Sequence, residues 1–163
     1  MLAKTLSPDL QEELVGVIAE AVSRAFRVQA NMEVTQIKNE REKARKLFPA
    51  SLMSEIAING KDYTLLLVLV IPAPVALKVY GSIIGEELSE ITDEVKEFPL
   101  ELSNMILGET KRILNERGRE IAMARPKSID VSELVSSKGL TKLHTYNTAV
   151  GEFFLCLCQR EGA

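Results

Sequence analysis

Leu65 to Ile71 is the longest apolar run in the chain, and Pro72 ends it. A membrane span needs roughly 20 apolar residues, so this run reads as a buried strand. It is apolar at nearly every position, so both of its faces have to be covered. Just before it, Ser51 to Ile58 is a second β-rich run, joined to it through Asn59-Gly60 and starting again at Tyr63. Asn and Gly accept the positive φ angles of a tight turn, so the two runs read as a hairpin. The rest of the fold has to be built around this pair.

The flanking sequence supplies helices. Ser7-Pro8-Asp9 is a helix start, with a capping serine, a proline in the first turn and an acid near the positive end of the dipole. Leu10, Leu14, Val17, Ile18, Ala21, Val22 and Ala25 then keep helical spacing, giving an amphipathic helix from about 8 to about 30 with residues 1–7 as a tail. Glu20 and Ser23 on its outer face read as ordinary surface residues. Met32 to Ile37 alternates enough for a short edge strand, and 38–48 reads as a mixed-sign charged loop. Pro72-Ala-Pro74 opens a second helix, with Val75, Val79 and Ile83 on one face and Gly85 as its C-cap. Glu86 to Glu94 is an acidic linker in which Thr92-Asp93 can cap a third helix, which runs to about Arg117 before Gly118. Glu120 to Ala124 is a short strand before Pro126, and Lys127 to Lys138 is a polar connection. Leu140 to Val150 and Glu152 to Gln159 read as two strands with Gly151 in the turn. A long helix followed by strands occurs twice. The fold class is α+β: a pseudo-duplicated helix-plus-strands unit, with a mainly antiparallel sheet packed by long helices in a single domain spanning 1–163.

Composition excludes several functions. The net charge is -3 and the pI about 5.4, which leaves no basic footprint for nucleic acid. No stretch reads as a secretory signal or a membrane span, and Cys156 and Cys158 read as buried thiols of a reducing compartment, so a cytoplasmic protein is expected. His144, the only histidine, sits in a strand pattern without partners at metal-ligand spacing, and no metal site is expected. No phosphate-binding loop, dinucleotide fingerprint or nucleophile elbow is present.

What remains is the outer face of the third helix. Helical geometry lines up Glu97, Glu101, Asn104, Gly108 and Asn115 on one stripe. Val95, Phe98, Leu102, Met105, Ile106 and Ile113 lie largely on the other side. Gly108 follows one turn after Asn104, where a partner can approach closely. A mid-helix glycine costs about 1 kcal/mol relative to alanine.

Glu101-Leu-Ser-Asn104-Met-Ile-Leu-Gly108 resembles the signature helix of the CheC/CheX/FliY family of chemotaxis phosphatases. The resemblance extends through the Ile56-to-Gly60 hairpin and Leu65 to Val70, Ala76 to Gly85, Ile121 to Ala124 with Pro126, and the strand after Gly151. It covers roughly 50–158 plus the leading helix. A single motif copy is more similar to the CheX branch than to the CheC branch, which carries two. Departures are Glu97, where the family usually has Asp, and Pro99, from which the helix either kinks or begins anew near Phe98. The resemblance implies a protein aspartyl-phosphate phosphatase, a hydrolase acting on a phosphorylated CheY-like response regulator in chemotaxis or related two-component signalling. Asn104 would position the attacking water and Glu101 would pair with the regulator's active-site lysine. Glu97, Met105, Gly108 and Lys111 would line the docking face. The protein would carry no cofactor of its own, with Mg²⁺ expected on the regulator. The same face would serve a non-catalytic module docking on a regulator or on a signalling or motor component. The resemblance also implies a homodimer paired through the sheet. Gel filtration is expected to give twice 18.0 kDa, and a clean monomer at working concentration would contradict it.

Overall fold

The computed structural model describes residues 8–37, 50–59, 64–119, 122–130 and 140–159. The tail 1–7 and the charged loop 38–48 lie outside them. The elements are α1 (Pro8–Ala30), β1 (Thr35–Ile37), β2 (Ser51–Asn59), β3 (Thr64–Pro72), α2 (Ala73–Ile84) and α3 (Asp93–Glu116), followed by β4 (Ala122–Met123), β5 (Lys127–Ile129), β6 (Leu140–Thr148) and β7 (Gly151–Gln159).

The described strands pair antiparallel in a seven-stranded sheet of order β1-β6-β7-β3-β2-β4, with β5 also on β2. The apolar run forms β3 at the sheet centre, and both its faces are buried. Leu65, Leu67, Leu69 and Ile71 join one core cluster with α1, α2 and α3, whereas Leu66, Val68 and Val70 join another with Met53, Leu143, Phe154, Cys156 and Cys158. Alternation along a strand produces this division. Both thiols are buried on that second face, and burial followed by the neighbouring Cys158 pushes the Cys156 thiol well up. His144 is buried too, and Gln36 Nε2 donates to its Nδ1 at 2.7 Å, joining β1 to β6.

The duplication is visible in the topology, and its halves interlock. Each half has a long helix and a hairpin, with one short strand (β1) in the first and two (β4 and β5) in the second. The short strand β1 pairs with β6 of the other half, and β5 pairs with β2 of the first. The hairpins meet at β3 and β7. The helices are exchanged likewise. Phe26 of α1 stacks on Phe153 of β7 at 4.6 Å, with Tyr146 of β6 behind it at 5.2 Å. Ser54 of β2 bonds to α3.

Four local expectations change. Asn59 is the last residue of β2 and pairs with Thr64, so β2 runs one residue beyond Ile58 and β3 is described from Thr64; Gly60 lies outside the described residues. Lys127–Ile129 is a strand, not part of a polar connection; two of its three residues are exposed, so it carries no alternation to read. Thr148 pairs with Gly151, which makes Ala149-Val150 the turn and Gly151 the first residue of β7. The third helix does not begin anew near Phe98: it is continuous from Asp93 and contains Pro99. Its first turn is held by Thr92, whose side chain accepts from Val95 N at 3.4 Å, and by Asp93 and Glu94 at the positive end of the dipole.

Gly151 is required where it stands. Its φ is +140°, and a Cβ there would meet Val75 Cγ2 of α2 at 2.7 Å. Gly151→Ala is expected to cost about 1–3 kcal/mol. Thermal unfolding should report this as a loss of roughly 2–4 °C per kcal/mol.

Candidate functional site

The site is the outer face of α3, and the inner face decides where it points. Val95, Phe98, Pro99, Leu102, Ser103, Ile106, Leu107, Thr110, Ile113 and Leu114 are buried. Most of these are apolar, and their removal from water at about 25 cal/mol per Å² drives docking on the sheet. The polar members are satisfied: Thr110 Oγ1 donates to Ile106 O at 2.7 Å. Ser54 Oγ of β2 donates to Pro99 O at 3.2 Å and shares a second hydrogen bond with the Ser103 hydroxyl.

This contact falls at the turn that contains Pro99. An interior proline removes the bond to the carbonyl four residues earlier and costs about 3 kcal/mol. The bond lost is the one to Val95 O; Ser54 bonds instead to the carbonyl of Pro99 itself, and so ties this buried turn of α3 to β2. The signal for the anchor was a serine, Ser103, on the apolar face of a helix. A polar group there needs a partner, although the sequence did not say which.

Glu97, Glu101, Asn104, Gly108, Lys111 and Asn115 are all exposed, and Met105 is half-buried at the edge of the core. Among the described residues, neither the Glu101 carboxylate nor the Asn104 amide makes a hydrogen bond or an ion pair with another described residue. The flank of the stripe is tied down instead. Glu109 pairs with Arg24 of α1 at 3.4 Å and with Arg112 at 3.0 Å, Arg112 pairs with Glu116 at 2.8 Å, and Arg119 pairs with Glu13 at 2.8 Å. These pairs run α1 and α3 antiparallel. Exposed to solvent and screened by it, each contributes little to stability. At the other end, Tyr80 of α2 packs on Phe98 with ring centroids 5.5 Å apart. Its phenol is raised above the ordinary tyrosine range, first by desolvation and then by Glu94, Glu101, Glu86 and Glu97. The N-terminal half of the stripe is therefore electronegative. Sequence spacing did not reveal that Tyr80 adjoins it. Among the described residues no group of three or more His, Cys, Asp and Glu is arranged to hold a metal ion. No described helix is long and apolar enough to cross a membrane.

The family model for the chemotaxis phosphatase CheX matches residues 55–148, more than half of the chain, including the whole of α3. The chain belongs to the CheX family. Solved relatives share its fold at low identity. CheX from Vibrio vulnificus is 21% identical with a TM-score of 0.71, covering 91% of this chain and 99% of that one. A CheC-like superfamily protein from Shewanella sp. PV-4 is 20% identical with a TM-score of 0.72, covering 91% and 97%. The CheX of a CheX–CheY–BeF3–Mg²⁺ complex from Borrelia burgdorferi is 17% identical with a TM-score of 0.66, covering 91% and 98%. None of the curated proteins matches the sequence.

Comparison of α1 with α3 shows what distinguishes a motif-bearing helix in this fold. Sliding α1 so that Leu14 meets Val95 superposes buried position on buried position: Val17 on Phe98, Ile18 on Pro99, Ala21 on Leu102, Val22 on Ser103, Ala25 on Ile106 and Phe26 on Leu107. In that register Glu20 falls on Glu101, Ser23 on Asn104 and Arg27 on Gly108. The carboxylate recurs on α1. The amide and the glycine do not.

Ser54→Ala removes both bonds that hold Pro99 and Ser103 to the sheet. It is expected to lower stability by about 1–2 kcal/mol, read as a lower urea midpoint at unchanged slope. Because Ser54 and Ser103 share one bond, adding Ser103→Ala should cost less than it does in the parent chain.

Proposed function

We propose that this protein is a phosphatase for the aspartyl phosphate of a CheY-like response regulator and acts in the cytoplasm. The observation that carries the reading is the pairing of an uncommitted carboxylate, Glu101, with an uncommitted carboxamide, Asn104, on the exposed stripe of α3 in a CheX-family chain. The relative crystallised with CheY, BeF3 and Mg²⁺ supports a CheY-like partner.

Hydrolysis of an acyl phosphate has water attacking phosphorus in line as the bond to the aspartate oxygen breaks. The products are aspartate and inorganic phosphate. Such a transfer depends mainly on positioning and charge stabilisation, so the phosphatase can act without a nucleophile of its own. Asn104 has both an acceptor oxygen and donor N–H groups, which suits an amide that orients water against a phosphoryl group. Glu101 lies one turn earlier within an electronegative surface, where it pairs with the active-site lysine of the regulator. Glu97, Met105, Gly108 and Lys111 line the contact around them. Mg²⁺ belongs to the regulator in this reading and neutralises charge on the phosphoryl oxygens. The rigid seat of α3 on β2 holds the pair at fixed spacing before docking, which reduces the ordering cost of the complex. The protein pairs as a homodimer through its sheet.

The test is phosphate release from a phosphorylated regulator of the same organism, with and without this protein. Wild type should accelerate it. Asn104→Ala should lose on the order of 10²–10³ in rate while still binding, as expected when one placed polar group is removed from a transition state. Glu101→Ala should weaken binding as well as turnover. No acceleration by wild type over any cognate regulator sinks the catalytic reading. Binding without turnover would leave a docking module.

A further inference from the structure

Among the six described glycines, four have a structural reason to be glycine. Gly85 and Gly118 close helices at φ of +74° and +72°. Gly81 leaves no room for a Cβ, which would lie 2.5 Å from Glu86 O, and Gly151 combines positive φ with a contact on Val75. Gly108 has neither reason. It is an exposed helical residue without positive φ, and a Cβ built on it would meet nothing within 4 Å. Alanine would fit the fold and favour the helix. Among the described glycines the other such residue is Gly16, on the exposed face of α1 toward its start.

Gly108 differs from Gly16 in its neighbours. It lies one turn beyond Asn104 on the uncommitted stripe, at the position where α1 carries Arg27, whose guanidinium pairs with Glu33 at 3.4 Å. A glycine on a helix surface exposes the backbone and lets another backbone come closer than any side chain would. We infer that Gly108 is the point of closest approach in the docked complex, where the backbone of a loop beside the regulator's phosphorylated aspartate lies directly against α3. The missing Cβ serves the partner and not this fold, and it sets how tightly the partner docks. This inference rests on the proposed regulator partner and adds the steric element that selects it.

The experiment compares Gly108→Ala with Gly16→Ala in the full chain. Thermal unfolding is measured alongside the dissociation constant and KM for the phosphorylated regulator. Both substitutions should raise Tm by roughly 2–4 °C, since alanine is the better helix former and both sites are open. Gly108→Ala should raise Kd and KM at least tenfold and keep kcat at saturation within a few-fold. Gly16→Ala should leave both unchanged. Unchanged Kd and KM in Gly108→Ala would overturn the inference, as would an equal loss in Gly16→Ala. The raised Tm excludes misfolding as the cause of a loss. Because binding is read separately from turnover, a wild type that binds without hydrolysing removes the proposed activity and still tests the contact at Gly108.

Discussion

Burial of the inner face of α3 on β2 is the interaction on which the rest of the molecule depends. Phe98, Leu102, Ile106 and Ile113 leave water by facing the core shared with the sheet and α1, and Ser54 ties the helix to β2 at Pro99. Once that face is set, the rotation of the helix is set too. Glu101 and Asn104 then have no choice but to face outward, at a spacing held by helical geometry rather than by contacts of their own. The orientation of the candidate site is thus set by core packing, and among the described residues no hydrogen bond joins Glu101 to Asn104.

The interlocked halves extend the same logic. Each half lends a short strand to the other half's hairpin, and α1 and α3 lie antiparallel across the resulting sheet. A fold built this way offers equivalent outer faces on its long helices. Only one of them combines a carboxylate, an amide and a glycine. The α1 face keeps Glu20 but has Ser23 and the ion-paired Arg27 in the other places. The difference between the faces lies in a few surface residues, which cost the fold little to change. Function can therefore diverge between the helices while the core stays common.

Much of this was legible before any coordinates. The central strand could be read because a run of apolar residues too short for a membrane has few other places to go. The long helices could be read from their period, and the outward stripe follows from that period alone. What escaped the sequence was long-range or small. β5 has too few residues to alternate, and it becomes a strand only because β2 offers it an edge. The partner of the buried Ser103 is Ser54, which lies far away in sequence. The nearness of Tyr80 to Glu101 depends on how α2 crosses α3. The roles proposed for Asn104 and Glu101 rest on resemblance to a family, since exposure by itself does not separate a docking face from a solvated one.

The central claim is that Asn104 enters the regulator's active site on an otherwise unchanged scaffold. The side-chain amide signal of Asn104 in a ¹⁵N-labelled chain, followed while phosphorylated regulator is added, tests this most directly. The account predicts a large shift of that signal, with changes concentrated along the outer stripe of α3 and little at Glu20, Ser23 and Arg27. An unmoved Asn104 amide with changes gathered on α1 or on a sheet edge would contradict it.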